Sequence, residues 1–185
     1  AKYLPALADM QVAESLASDR VTTRPPARAP TIQDLLRHTS GLTYRERGTS
    51  AAHKLHPPPT FESALTLSKD QFLAHLGKAP LLFDPGSNWE YGSSTDVLGM
   101  VVEAVTGKPL ATVLSERIWQ PLGMIDTSFE LPETKRVRYG RALEKDPLTG
   151  AKQSVVHAGP HAFKWGPGGA AALSTAADYL KFCEM

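Results

Sequence analysis

The segment Phe83-Asp84-Pro85-Gly86-Ser87-Asn88-Trp89-Glu90-Tyr91-Gly92-Ser93-Ser94-Thr95-Asp96-Val97-Leu98-Gly99 sets a tyrosine immediately ahead of an apolar helical run. Ser93 and Asp96 have the spacing of a capping pair, which starts the helix behind Ser93 and leaves Tyr91 just outside it. Unpaired N–H groups at a helix N-terminus create a positive potential. A phenol titrates at about 10 in water, too high for a base at neutral pH. Positive potential and a neighbouring lysine favour the phenolate, whereas burial opposes it. A base tuned in this way contributes on the order of 10²–10⁴ in rate. Local sequence by itself favours a second reading. Tyrosines at helix entrances commonly pack at the rim of a core, and a cap role accounts for Ser93 without any chemistry.

Other chemically able residues carry less. His53 and His56, or His157 and His161, invite comparison with metal pairs. Neither pair lies on a convincing helix with a convergent carboxylate, so loop histidines are the expectation and no metal or other cofactor is implied. Ser40 reads as part of a helix C-terminus, and the chain has no Gly-x-Ser-x-Gly elbow.

The elements that must position Tyr91 are mostly helical. Residues 20–30 are extended and proline-rich. Thr31 and Asp34 form a capping box, the helix behind them is expected to bury Ile32, Leu35 and Leu36, and Arg37 and His38 suit the dipole in its last turn. Gly41 reads as the left-handed stop, with Leu42 folding back onto Leu36. Residues 45–60 read as a polar loop ending in Pro57-Pro58-Pro59. A helix near Ser68 packs Phe72, Leu73 and Leu76, and ends at Gly77. The helix after Tyr91 is apolar nearly all round, which predicts burial on most sides before it ends at Thr106-Gly107. A fourth spaces Leu110, Val113, Leu114, Arg117 and Ile118 helically and stops before Pro121. Residues 137–143 and 153–157 flank Asp146-Pro147-Leu148-Thr149-Gly150 as a β-hairpin. Gly166-Pro167-Gly168-Gly169 is a tight loop before a last helix, capped at Ser174-Thr175 and still running at Met185.

The chain has 185 residues, 42% hydrophobic and 21% charged, which fits one globular domain or a large part of one. Twenty basic against nineteen acidic side chains leave a net charge of +1, with no basic stripe for nucleic acid and no acidic tail. Apolar runs fall far short of a membrane span. Cys183 is alone, so no intrachain disulfide framework exists and the compartment stays open, as does the oligomeric state.

Five blocks occur in order: Tyr3-Leu4-Pro5; residues 31–42; the Pro-Gly-x-x-Trp-x-Tyr segment ending at Tyr91; residues 116–127; and residues 168–179. Together they resemble the serine β-lactamase-related family of class C β-lactamases, D-alanyl-D-alanine carboxypeptidases and family VIII carboxylesterases, over essentially the whole chain. The resemblance implies the mixed α/β (α+β) fold of the β-lactamase/transpeptidase type. Residues 1–185 would be the central, mostly helical part of one such domain, continuing beyond both ends. It also implies a serine hydrolase working through an acyl-enzyme. Tyr91-Gly92-Ser93 matches the family's Tyr-x-Asn motif, which implies a catalytic role for Tyr91 and a substrate-binding one for Ser93. No serine here has a lysine three residues on, so the Ser-x-x-Lys nucleophile is expected upstream and the third motif downstream. His157-Ala158-Gly159 and Lys164-Trp165-Gly166 imitate the third motif but precede the final helix. Serine in place of asparagine at position 93, followed by Asp96-Val97-Leu98-Gly99, leans toward esterases of short acyl chains. The alternatives are a β-lactamase or peptidase, and a non-catalytic relative or inactive fragment. A small ester or amide is the partner implied.

Overall fold

A computed structural model describes residues 2–16, 20–140, 143–152 and 163–185. Chain order runs from a 3₁₀ turn at Pro5–Leu7 to strands β1 (Val12–Ala13) and β2 (Thr23–Arg24), then helices α1 (Ile32–Arg37), α2 (Ala51–Lys54), α3 (Thr60–Thr66) and α4 (Lys69–Lys78). Helices α5 (Ser94–Thr106), α6 (Leu110–Leu114) and α7 (Ala176–Cys183) follow, with a π-turn at Ser115–Trp119 and a 3₁₀ stretch at Glu133–Arg138 between the last two. The expected mostly helical layout therefore holds, but the paired strands lie elsewhere than anticipated. β1 and β2 are antiparallel, with Val12 opposite Arg24 and Ala13 opposite Thr23. Residues 81–82 run beside β1: Ala13 N–H donates to Leu81 O, Leu81 N–H to Gln11 O, and Leu82 N–H to Gly41 O.

The caps form as their chemistry requires. Thr31 and Asp34 close a reciprocal capping box on α1, and Ser68 and Gln71 close another on α4. Replacing Thr31 by alanine should cost about 1 kcal/mol, read as a lowered urea midpoint with unchanged slope. Helix α4 buries Phe72, Leu73 and Leu76 as expected and continues through Gly77 to Lys78. Phe72 lies 5.0 Å from Trp165, and these rings join Val12, Leu42, Leu81, Val97 and Met100 in the main core.

Several expectations need correction. In α1 only Leu35 and Asp34 are buried; Ile32 is 44% and Leu36 66% exposed. The six-residue helix gives its inward face to Leu35 and to Asp34, which pairs with Arg28 at 2.6 Å, so Leu42 joins the core without folding over Leu36. The left-handed stop is His38, with φ 56°. Gly41, at φ 85°, serves a later bend where a Cβ would meet Phe83 O at 2.7 Å. Residues 45–60 are not a plain loop: they hold a 3₁₀ turn and α2, with His56, Pro57 and Pro58 buried. Helix α5 buries Val97 and Met100 but leaves Val105 62% exposed, because α1 and α6 cover only part of it.

Near the end, residues 137–138 belong to the 3₁₀ stretch rather than to a strand. The Asp146–Gly150 turn does form, with Lys145 bridged to Lys152, whereas 153–157, with His157, and His161 lie outside the described residues. Helix α7 ends at Cys183, short of Met185. Its Asp178 accepts from Asp126 N–H at 2.7 Å and the Thr127 hydroxyl at 3.0 Å, which ties α7 to the 126–128 segment. Among the described residues, no single helix is long and apolar enough to cross a membrane.

Candidate active site

Tyr91 sits on an extended segment strapped to the loop after α1. Glu90 N–H donates to His38 O at 2.9 Å, Gly86 N–H to Thr39 O at 2.7 Å, and the Ser93 hydroxyl to Thr43 O at 3.2 Å. The Glu90 carboxylate accepts from the Thr43 hydroxyl at 3.1 Å and pairs with Arg47 at 3.3 Å. Gly92 makes this closeness possible, since a Cβ there would meet Thr43 Cα at 2.3 Å. Side-chain-free approach of two backbones is a recurrent use of glycine.

The strap leaves the Tyr91 ring 42% exposed, with two rings against it. His38 lies 5.1 Å away in a tilted stack, and Tyr44 meets it edge-on at 5.8 Å and 72°. Trp89, more exposed still, has its ring centre 6.1 Å from that of His38. Among the described residues the Tyr91 hydroxyl takes no hydrogen bond, so a fixed ring presents a free phenol. Burial lowers the pKa of His38, which keeps the imidazole neutral through the physiological range.

Ser93 and Asp96 do not cap α5. Ser93 has φ −65° and ψ 4°, outside the extended conformation usual for a cap, and makes no side-chain cap bond; its buried hydroxyl donates to Thr43 O instead. Asp96 points into the protein instead. Its Oδ2 accepts from the Thr60 hydroxyl at 2.6 Å and lies 3.4 Å from the Tyr44 hydroxyl oxygen, and its Oδ1 accepts from Gly169 N–H at 2.9 Å. Burial raises the Asp96 pKa against the pull of these donors. Burial also drives the Tyr44 phenol well above its ordinary value, with the Asp96 charge adding to it. Tyr44 therefore remains a hydrogen-bond donor and cannot exchange protons near neutrality.

His53 and His56 take separate partners. His53 Nδ1 meets the Ser50 hydroxyl at 2.7 Å, while His56 is fully buried with Nε2 on Pro80 O at 2.8 Å. His53 lies on α2, against the expected loop placement, whereas His56 lies in the bend after it and is buried. No group of three or more potential metal ligands converges among the described residues. Sequence reasoning placed Tyr91 at the mouth of α5 but missed its companions His38, Tyr44 and the inward Asp96. A carboxylate in the first turn of a largely apolar helix was the available signal for the last.

The chain has a β-lactamase/transpeptidase-type fold, and Tyr91 is an accessible phenol beside the loop after α1. The β-lactamase family model matches residues 1–185, so the chain belongs to that family. It is 33% identical to protein Rv1367c of Mycobacterium tuberculosis over 187 residues, covering all of this chain and 45% of that protein. It is 43% identical to esterase EstB of Burkholderia gladioli over 108 residues, which are 57% of this chain and 27% of EstB. Simvastatin synthase (LovD) from Aspergillus terreus superimposes with a TM-score of 0.72 at 28% identity, over 97% of this chain and 44% of LovD. The chain spans about half the length of Rv1367c and LovD, 45% and 44% respectively.

Proposed function

We propose that the protein carrying this chain is a serine hydrolase that works through an acyl-enzyme, a carboxylesterase of short-chain esters. Residues 1–185 are read as the central, mostly helical part of its single domain, with the nucleophilic serine and its lysine supplied from outside them. The observation that carries the reading is Tyr91, a half-exposed phenol held by His38 and Tyr44 with its hydroxyl free among the described residues. Similarity to an esterase over the segment that spans 57% of the chain supports the ester class.

In this scheme Tyr91 shares a proton with the attacking serine. The serine oxygen adds to the ester carbonyl carbon, its proton passes by way of the Tyr91 oxygen, and the alcohol leaves carrying a proton. Water then repeats the sequence on the acyl-enzyme to release the acid. Ser93 serves substrate binding through the loop it pins, since its hydroxyl is committed to Thr43 O. The substrate is a small ester, and no cofactor is needed.

Turnover of p-nitrophenyl butyrate against a chromogenic cephalosporin tests this in the intact protein. The ester should be cleaved with the higher kcat/KM by at least about 10²-fold, equivalent to about 2.7 kcal/mol of transition-state discrimination. Cephalosporin hydrolysis without ester turnover would assign the β-lactamase alternative, and no turnover of either would leave a non-catalytic relative.

A further inference from the structure

Four segments distant in sequence meet at one carboxylate. Asp96 at the head of α5, Thr60 at the first position of α3, Tyr44 after the α1 loop and Gly169 before α7 share a hydrogen-bonded cluster in which the first three side chains are buried. The protons can be placed by counting. The Thr60 hydroxyl has one proton, and the carboxylate at 2.6 Å takes it; Tyr44, 2.6 Å from the Thr60 oxygen, then donates to that oxygen. A one-way chain results: Tyr44 O–H to Thr60 O–H to Asp96 Oδ2, with Gly169 N–H on Oδ1. The raised Tyr44 pKa fits a donor role held at all physiological pH. Gly169 is required at its place, since a Cβ there would meet Asp96 Oδ1 at 2.9 Å and Thr60 Oγ1 at 3.0 Å.

The chain ends on the ring that meets Tyr91 in a T-shaped contact. Resting on the esterase reading above, we propose that Asp96 is a positioning residue for Tyr91, acting through Thr60 and Tyr44. Holding the Tyr44 oxygen fixes the long axis of its ring, and the direction in which its in-plane O–H donates to Thr60 sets the ring's tilt. That orientation sets the T-shaped contact which, with His38 on another side, fixes where the Tyr91 oxygen stands. The second carboxylate oxygen holds the 168–169 loop to the same anchor, so one buried group aligns both the tyrosine and the loop. Asparagine cannot replace it. Its single acceptor serves either Thr60 or Gly169, and the amide N–H₂ then either faces the Gly169 N–H or reverses the chain and strands the Tyr44 proton.

The test uses the intact protein and a p-nitrophenyl ester, with kcat and KM measured separately. Misplacement of a reacting group by about 1 Å can cost on the order of 10² in rate. Asp96→Asn and Thr60→Val should each lower kcat by about 10- to 100-fold with KM changed less than about twofold, while Thr60→Ser, which keeps the hydroxyl, should stay within about twofold of the parent. In a Tyr91→Phe background the same substitutions should cost little further activity, because groups acting through one residue are non-additive. Should Asp96→Asn fail to fold, the Val and Ser pair at Thr60 carries the test. Full additivity with Tyr91→Phe, or equal loss in Thr60→Val and Thr60→Ser, would overturn the positioning role. A near-normal Tyr91→Phe enzyme would instead overturn the reading of Tyr91 itself, whatever Asp96 does.

Discussion

Tyr91→Phe should lower kcat on a short p-nitrophenyl ester by about 10²–10⁴-fold, with KM nearly unchanged and the fold intact. The substitution removes a single oxygen. Phenylalanine keeps both ring contacts, the tilted stack on His38 and the T-shaped contact with Tyr44. No hydrogen bond among the described residues is lost with the hydroxyl, so unfolding free energy should move by about 0.5 kcal/mol or less. Loss of rate without loss of stability separates proton transfer from packing. Melting curves and steady-state kinetics on the same preparations supply both measurements, and a mutant with near-parental kcat would return Tyr91 to the packing residue that local sequence also allows.

The neighbourhood explains why a fixed phenol suits the proposed reaction. Tyr44 cannot compete for the proton, since burial holds its own phenol well above the ordinary range. His38 is kept neutral by burial, so it supports the Tyr91 ring without placing a cation against it. The strap through Glu90, Gly92 and Ser93 leaves the segment little room to shift from the 38–43 loop. Position comes from four elements, but the exposed oxygen belongs to one residue.

What the sequence disclosed divides along physical lines. The caps at Thr31, Ser68 and Thr175 were legible because a hydroxyl and an N–H three residues on interact locally. The same pattern at Ser93 and Asp96 misled, because the backbone at Ser93 is not in a cap conformation and tertiary partners orient both side chains. Thr43 O takes the serine hydroxyl, and Thr60, Tyr44 and Gly169 draw the carboxylate inward. Those partners lie 36 to 73 residues away in chain order, beyond any local rule. Likewise α2 is four residues long, far too short to declare itself by periodicity, and exists because Ser50 caps it and Ala52 is buried. The position of Tyr91 was legible since it depends on the helix behind it. Its clamp was not, since His38 and Tyr44 arrive from a loop whose bend no pattern announces.

His56 should give the intact protein an acid-labile component of stability worth about 3 kcal/mol. Its ring is buried and its Nε2 meets Pro80 O, an arrangement that holds the neutral imidazole with Nε2–H donating. Burial pushes its pKa down to about 4 from an ordinary 6.5, although the Pro80 carbonyl pulls the other way. The sign follows from proton uptake. Above about pH 6.5 neither folded nor unfolded histidine is charged, and the contribution is fully present. Between about 6.5 and 4 the unfolded chain binds a proton that the fold refuses, so stability falls; below about 4 both bind it and the loss levels off. Buried Asp96 works in the opposite sense, because its raised pKa relieves a cost as the pH falls. His38 adds to the loss, so the parental curve alone does not isolate His56. His56→Gln does, since its amide N–H₂ can still donate to Pro80 O but carries no titrating proton. Urea unfolding of parent and variant from pH 7.5 to 4 should show a stability difference that closes or reverses by about 3 kcal/mol over that window. Parallel curves would mean that the imidazole is protonated inside the fold, and that the 81–82 segment beside β1 opens far enough to hydrate it.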